Sequence, residues 1–226
     1  MVTRWVPLLG VLEEEAALVT AARDLTAFTN RNSEPIDASE FWARAAWRVV
    51  HEGVSPLDAV KQASAAMASR SPFIADKVRQ GLSKAAEAMD PDQPLAQQPV
   101  ELVDDIALTS MARLWDVGRS EPIKVGKASP TEGTLPGAVY FLAKYEGDFH
   151  GAASANALVG GDNAARAIPI GMMMGLGGGM DGLPGSLVGQ LQGDYTRTRL
   201  VGLVDQLPLV RKAGAGSGTK ESSDEL

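Results

Sequence analysis

Two serine-proline pairs, Ser55-Pro56 and Ser71-Pro72, constrain the fold more than any other local feature of the chain. A serine oxygen accepts one of the N–H groups that every helix start leaves unpaired, and a following proline has the helical φ already set and no N–H to lose. After each pair, apolar residues recur at three- and four-residue spacing, the pattern of one buried helical face. The second of these helices is expected to run to about Met89. No stretch alternates convincingly with the period of two that a half-buried strand needs, and no segment repeats. The expected fold class is therefore all-α, with short connections.

The remaining helices follow from the same signals. Val11, Leu12, Leu18, Val19, Ala22 and Leu25 give a first helix over about Val11 to Phe28, closed by the turn-rich residues from Asn30 to Pro35. Asp37-Ala38-Ser39-Glu40 has the form of a capping box, so a second helix is expected from Asp37, burying Phe41 and Trp42 and stopping at Gly53. A fifth helix spans about Val100 to Trp115. Residues 119–133 form a loop, and Leu135-Pro136 opens a sixth helix. A seventh runs from Phe149 to Val159, and an eighth, rich in Met and Ala, follows to about Leu176. Pro184 to Leu191 is a short helical piece, and a last helix starts near Thr196. The domain is expected to cover residues 1–210. Residues 211–226 are mostly Gly, Ser and charged residues with little to bury, and read as a disordered tail.

Composition removes several classes of function. The 226 residues carry a net charge of -7, which repels nucleic-acid phosphates and leaves no basic run for an anionic membrane surface. There is no cysteine, so disulfides, thiolate nucleophiles and thiolate zinc sites are excluded. The first residues do not form a secretory leader, and the expected compartment is the cytoplasm. His51 and His150 are the only histidines and lie in no recognisable triad. Glu13, Glu14 and Glu15 are consecutive on a helix, point in different directions, and read as a solvated face. Asp104-Asp105 sits mid-helix among apolar residues, and Met172, Met173 and Met174 read as core filling.

One break between helices is chemically richer. Gly160-Gly161-Asp162-Asn163 joins the seventh and eighth helices. Its glycines permit backbone shapes closed to other residues, and Asp162 or Asn163 is suited to cap the next helix.

The surroundings of this turn carry a resemblance. Val125-Gly126-Lys127-Ala128, Gly133-Thr134-Leu135-Pro136-Gly137-Ala138-Val139, Phe149, the run from Ala155 to Arg166, and Gly182-Leu183-Pro184 together resemble the C-terminal signature of the ADP-ribosylglycohydrolase family. A weaker likeness, through Thr29-Asn30, Phe41-Trp42 and Glu52-Gly53-Val54-Ser55-Pro56, reaches back to about Leu25. The resemblance implies an orthogonally packed helical domain. It also implies a site holding two magnesium ions that cleaves the bond between ADP-ribose and an acceptor. Magnesium demands several oxygen ligands, and a metal pair needs carboxylates to offset its charge.

Against the family's Gly-Gly-Asp-Thr-Asp-Thr motif, Gly160, Gly161 and Asp162 match, while Asn163, Ala164 and Ala165 replace three oxygen-bearing side chains. This variant resembles the J1-crystallin branch. No acidic signature stands near the N-terminus, so the chain reads as the family fold without its first metal motif. The resemblance thus implies Asp162 as a metal ligand, and Gly160, Gly161, Asn163 and Arg166 as ligand-binding residues. Arg166 either holds a phosphate in place of the lost metals or forms an i, i+4 pair with Asp162. The expected partners are ADP-ribose or an ADP-ribosylated acceptor, with magnesium as the family's cofactor, and the exposed helix faces of a shortened core suggest a homo-oligomer. The expected function is that of a degenerate hydrolase or, alternatively, of a non-catalytic J1-crystallin-like structural or ligand-binding protein.

Overall fold

The computed structural model describes residues 3–111, 114–115, 123–124, 127–179, 181–190, 198–199, 202–203 and 206–208. Among these, a short 3-10 helix, Val6–Gly10, precedes α1 (Glu15–Ala27), α2 (Ser33–Glu52), α3 (Pro56–Met67), α4 (Pro72–Met89) and α5 (Val100–Ser110). Then come α6 (Thr131–Lys144), α7 (Phe149–Val159), α8 (Asn163–Gly178) and α9 (Gly185–Gly189). Between α5 and α6, the two-residue segments β1 (Leu114–Trp115) and β2 (Ile123–Lys124) pair antiparallel. The fold is all-α apart from this bridge. The expected last helix near Thr196 and the tail over residues 211–226 lie largely or wholly outside the described residues, as do Val125 and Gly126.

Local signals set several boundaries. Ser55 Oγ accepts the Asp58 N–H, and Pro56 takes the first position of α3. Gly53 ends α2 in the left-handed region at φ 66°. Ser71 precedes α4 as expected but makes no side-chain cap bond.

Other expectations are corrected. Helix α2 starts at Ser33, not Asp37: Asn32 caps it by accepting the Glu34 N–H, and Pro35 sits in a first turn that needs no N–H there. Asp37 and Glu40 are therefore interior positions, and their carboxylates turn sideways to arginines. Arg23 binds both, Arg44 and Arg70 bind Glu40, and Glu15 receives Arg44 and Arg48. Glu13 and Glu14 are exposed, but Glu15 is part of this network and not a solvated face. Helix α5 ends at Ser110, so Leu114 and Trp115 fall in β1 and not in the helix. Helix α6 begins at Thr131, four residues early, with Pro136 inside it.

Helix α2 runs through the middle of the core. Its Phe41, Trp42, Ala45 and Ala46 are buried, and it packs on α1, α3, α4, α6 and α8. The most extensive contact joins α4 to α6. Gly81 permits it, because a Cβ there would lie 2.5 Å from the Pro136 carbonyl oxygen and 2.9 Å from Val139 Cβ. Met173 is fully buried, and Met172 and Met174 pack against the core. None of the helices among the described residues is long and apolar enough to cross a membrane.

Candidate functional site

Helix α7 ends at Val159 and α8 begins at Asn163, so the turn between them is Gly160-Gly161-Asp162. Both glycines have positive φ, 72° and 67°, which an L side chain rarely adopts. At Gly161 a Cβ would also strike the Lys127 carbonyl. That carbonyl accepts the Asp162 N–H at 2.7 Å, so the turn is laced to the segment preceding α6.

Asp162 is the N-cap of α8. One of its carboxylate oxygens accepts the Ala165 N–H at 3.0 Å, and the Ser129 side chain also donates to the carboxylate. Those bonds, Ser129 first, hold its pKa below the usual carboxylate range. Asn163 reaches back, its Nδ2 donating to the Ala157 carbonyl at 3.4 Å. Ala164 is exposed and carries only a methyl group into the position where the family motif has a carboxylate.

Arg166, one turn into α8, points back along the helix toward its start, as helical side chains do. It is 0% exposed. Its Nε donates to Asn156 Oδ1 at 2.8 Å and its Nη2 to the Gly160 carbonyl at 2.6 Å. Its stem packs on α6 where Gly137 leaves room, since a Cβ at Gly137 would stand 2.8 Å from Arg166 Cδ. Its Nη1 is buried with no hydrogen-bond partner. No ion pair joins it to Asp162; burial lowers its pKa, opposed by the more distant Asp162 charge.

The structure thus brings together Gly160, Gly161, Asp162, Asn163 and Arg166 around one turn. It also adds residues that were not singled out in the sequence. Asn156 accepts from Arg166 and donates to the Asn163 carbonyl at 2.9 Å, bracing both helices. Its signal was present as a lone amide among the small apolar residues of α7. Lys127 belongs to the segment that carries the family resemblance, but its carbonyl and the Ser129 side chain reach the turn through the chain fold, which no local spacing signals. Beside the turn, a cleft of about 290 Å³ runs between α7 and α8, lined by Phe149, Ala153, Ala157, Ala164 and Ala167.

Asp104 and Asp105 are committed elsewhere. Asp104 accepts from Tyr140 Oη at 2.6 Å, Tyr145 Oη at 2.7 Å and Lys144 Nζ at 2.5 Å, while Asp105 pairs with Lys127. Burial and the Asp104 carboxylate push both tyrosine hydroxyls well above their ordinary pKa. His51 stacks on Trp47, 3.6 Å between ring centres, and His150 is exposed at the start of α7.

A magnesium pair would need several converging oxygens. Among the described residues, no three His, Asp or Glu side chains are grouped to hold a metal ion. Among the described residues, Asp162 is the carboxylate at the turn, and it is engaged in capping α8. The described donor set does not fit a two-magnesium centre.

The profile of the ADP-ribosylglycohydrolase family matches residues 1–216. No curated protein and no solved structure matches the chain.

Proposed function

Because the chain belongs to the ADP-ribosylglycohydrolase family, we propose that it is a J1-crystallin-like member that engages ADP-ribosyl groups without cleaving them. The observation that carries this reading is the state of Asp162. Its carboxylate serves as a helix cap, and the neighbouring Ala164 and Ala165 bring no oxygen to share a metal's charge. Hydrolysis of a glycosidic bond needs an activated water and stabilisation of the charge that develops as the bond breaks. Among the described residues, no second carboxylate is grouped with Asp162 to supply either.

What the turn does offer is a binding surface. Gly160 leaves open space where a side chain would stand, so backbone can approach a ligand there, and the half-buried Asn163 lies beside it. The apolar cleft beside them suits the flat or apolar part of a ligand. Arg166 supports this surface from beneath, through Gly160.

The competing reading is the magnesium-dependent hydrolase activity associated with the family. Calorimetric titration with magnesium, together with incubation on an ADP-ribosylated protein, separates the two. The expected result is no saturable magnesium binding and no released ADP-ribose. Magnesium-dependent release would overturn the proposal.

A further inference from the structure

Arg166 poses a physical problem that its two hydrogen bonds do not solve. It is a fully buried guanidinium whose partners, an amide oxygen and a carbonyl, carry no charge, and Nη1 has no partner at all. A buried charge is costly unless it is paired, and an unsatisfied donor adds to that cost. The guanidinium lies at the first turn of the 16-residue helix α8, whose N-terminal N–H groups carry the positive end of the helix dipole.

We infer that the α7–α8 turn is a metal-free anion site for a phosphate or diphosphate group, held by the Arg166 guanidinium and by first-turn N–H groups of α8 other than that of Ala165, which the Asp162 cap already holds. This rests on the proposal above that the turn faces a ligand without a metal. The family motif places carboxylates and cations here. In this chain the second motif carboxylate is replaced by Ala164, Asp162 remains, and the Arg166 cation stands one turn on, so the turn carries one negative and one positive side chain where the motif has two negative ones. A phosphate group then needs no bridging metal.

Access fits the same reading. The group that covers Nη2 is the Gly160 carbonyl, and Gly160 has open space where a Cβ would be. Rotation of the Gly160 peptide uncovers the guanidinium, and the anion takes over the bond that the carbonyl gives up. The cleft lined by Phe149, Ala157 and Ala167 then lies beside the bound group, ready for the rest of a phosphate ester. Among the described residues, the charge that opposes an anion there is that of Asp162.

That opposition provides the test. Inorganic phosphate and, separately, ADP-ribose are titrated into the full chain with a metal chelator present, by calorimetry and by amide NMR of the turn. Saturable binding is expected, with shifts at residues 160–166. Asp162→Asn, which keeps a capping oxygen and removes the negative charge, should tighten phosphate binding about fivefold, the scale of removing one nearby like charge. A metal site would respond in the opposite direction. Arg166→Lys should weaken binding at least about tenfold, the loss of a forked donor; if that variant does not fold, Asp162→Asn alone decides. Phosphate without ADP-ribose binding would assign free phosphate as the ligand. No saturation by either probe, or an unchanged or weaker Asp162→Asn, would sink the inference. Magnesium-dependent cleavage would overturn the proposed function instead, whatever phosphate does.

Discussion

Asp162 accepts from Ser129 and from the Ala165 N–H, and both bonds favour the charged carboxylate. Its pKa in the folded chain is therefore depressed below the unfolded value. A depressed pKa stabilises the fold above the unfolded value and loses that contribution as pH falls through the folded one. Removal of the cap by Asp162→Ala is expected to cost about 1 kcal/mol at neutral pH. The difference between variant and parent should shrink as pH falls below the ordinary carboxylate range. Urea unfolding at neutral pH and in acid checks both parts. An equal difference at every pH would show that the charge of Asp162 does not support α8. Arg166 makes the complementary point at this scale: an i, i+4 spacing permits an ion pair with Asp162, and the buried guanidinium instead turns to Asn156 and Gly160.

Between elements, what decides the packing is how closely backbones approach. Helices α4 and α6 meet at Gly81 with no room for a methyl group, because the obstacle is the Pro136 carbonyl and not a flexible side chain. Gly81→Ala should therefore destabilise the fold by ~2 kcal/mol, the overpacking cost exceeding alanine's better helix propensity. A thermal melt at or above the parent's would refute this contact. On the other side of the core, α1, α2 and the α3–α4 junction are tied by arginines around Glu40, whose side chain is 3% exposed. Burial alone would raise its pKa, yet hydrogen bonds from Arg44 and Arg23 and the charge of Arg70 bring it below the usual value. Helix α5 is joined to α6 by Asp104, with Tyr140, Lys144 and Tyr145 donating to one carboxylate. Both networks look like site chemistry as isolated residues but act as struts, because the carboxylates are already engaged by cations or hydroxyls.

At the scale of the whole molecule, one end of α1 is uncovered. Phe28 is 88% exposed, and Leu25 one turn earlier is 38% exposed. We propose this face as the contact of a homo-oligomer. Phe28→Ser is predicted to leave unfolding stability within about 0.5 kcal/mol, since the side chain buries little in one chain. It should lower self-association in sedimentation velocity across a concentration series. A parent chain that stays monomeric throughout the series would remove α1 as an interface.

Much of the fold was legible because helix boundaries are local. Caps and stops act within about four residues, through N–H and C=O groups that a helix end leaves free. Ser55-Pro56, Gly53 and the Val159–Gly160 break could be read from the sequence for that reason, as could the family likeness and the place of the turn. Asp37 and Glu40 were misread because their spacing satisfies the local capping pattern, while their actual partners, Arg23 and Arg70, come from other parts of the chain. The sequence by itself determined an all-α chain and a Gly-Gly-Asp turn short of side-chain oxygens. Only the tertiary structure decided that Asp162 is held by Ser129 as well as by its own helix, and that Arg166 is buried with one donor free. Those outcomes depend on Lys127, Ser129, Gly137 and Asn156 arriving from other segments. Burial and charge pairing are set by what packs around a group, and no spacing along the chain encodes that.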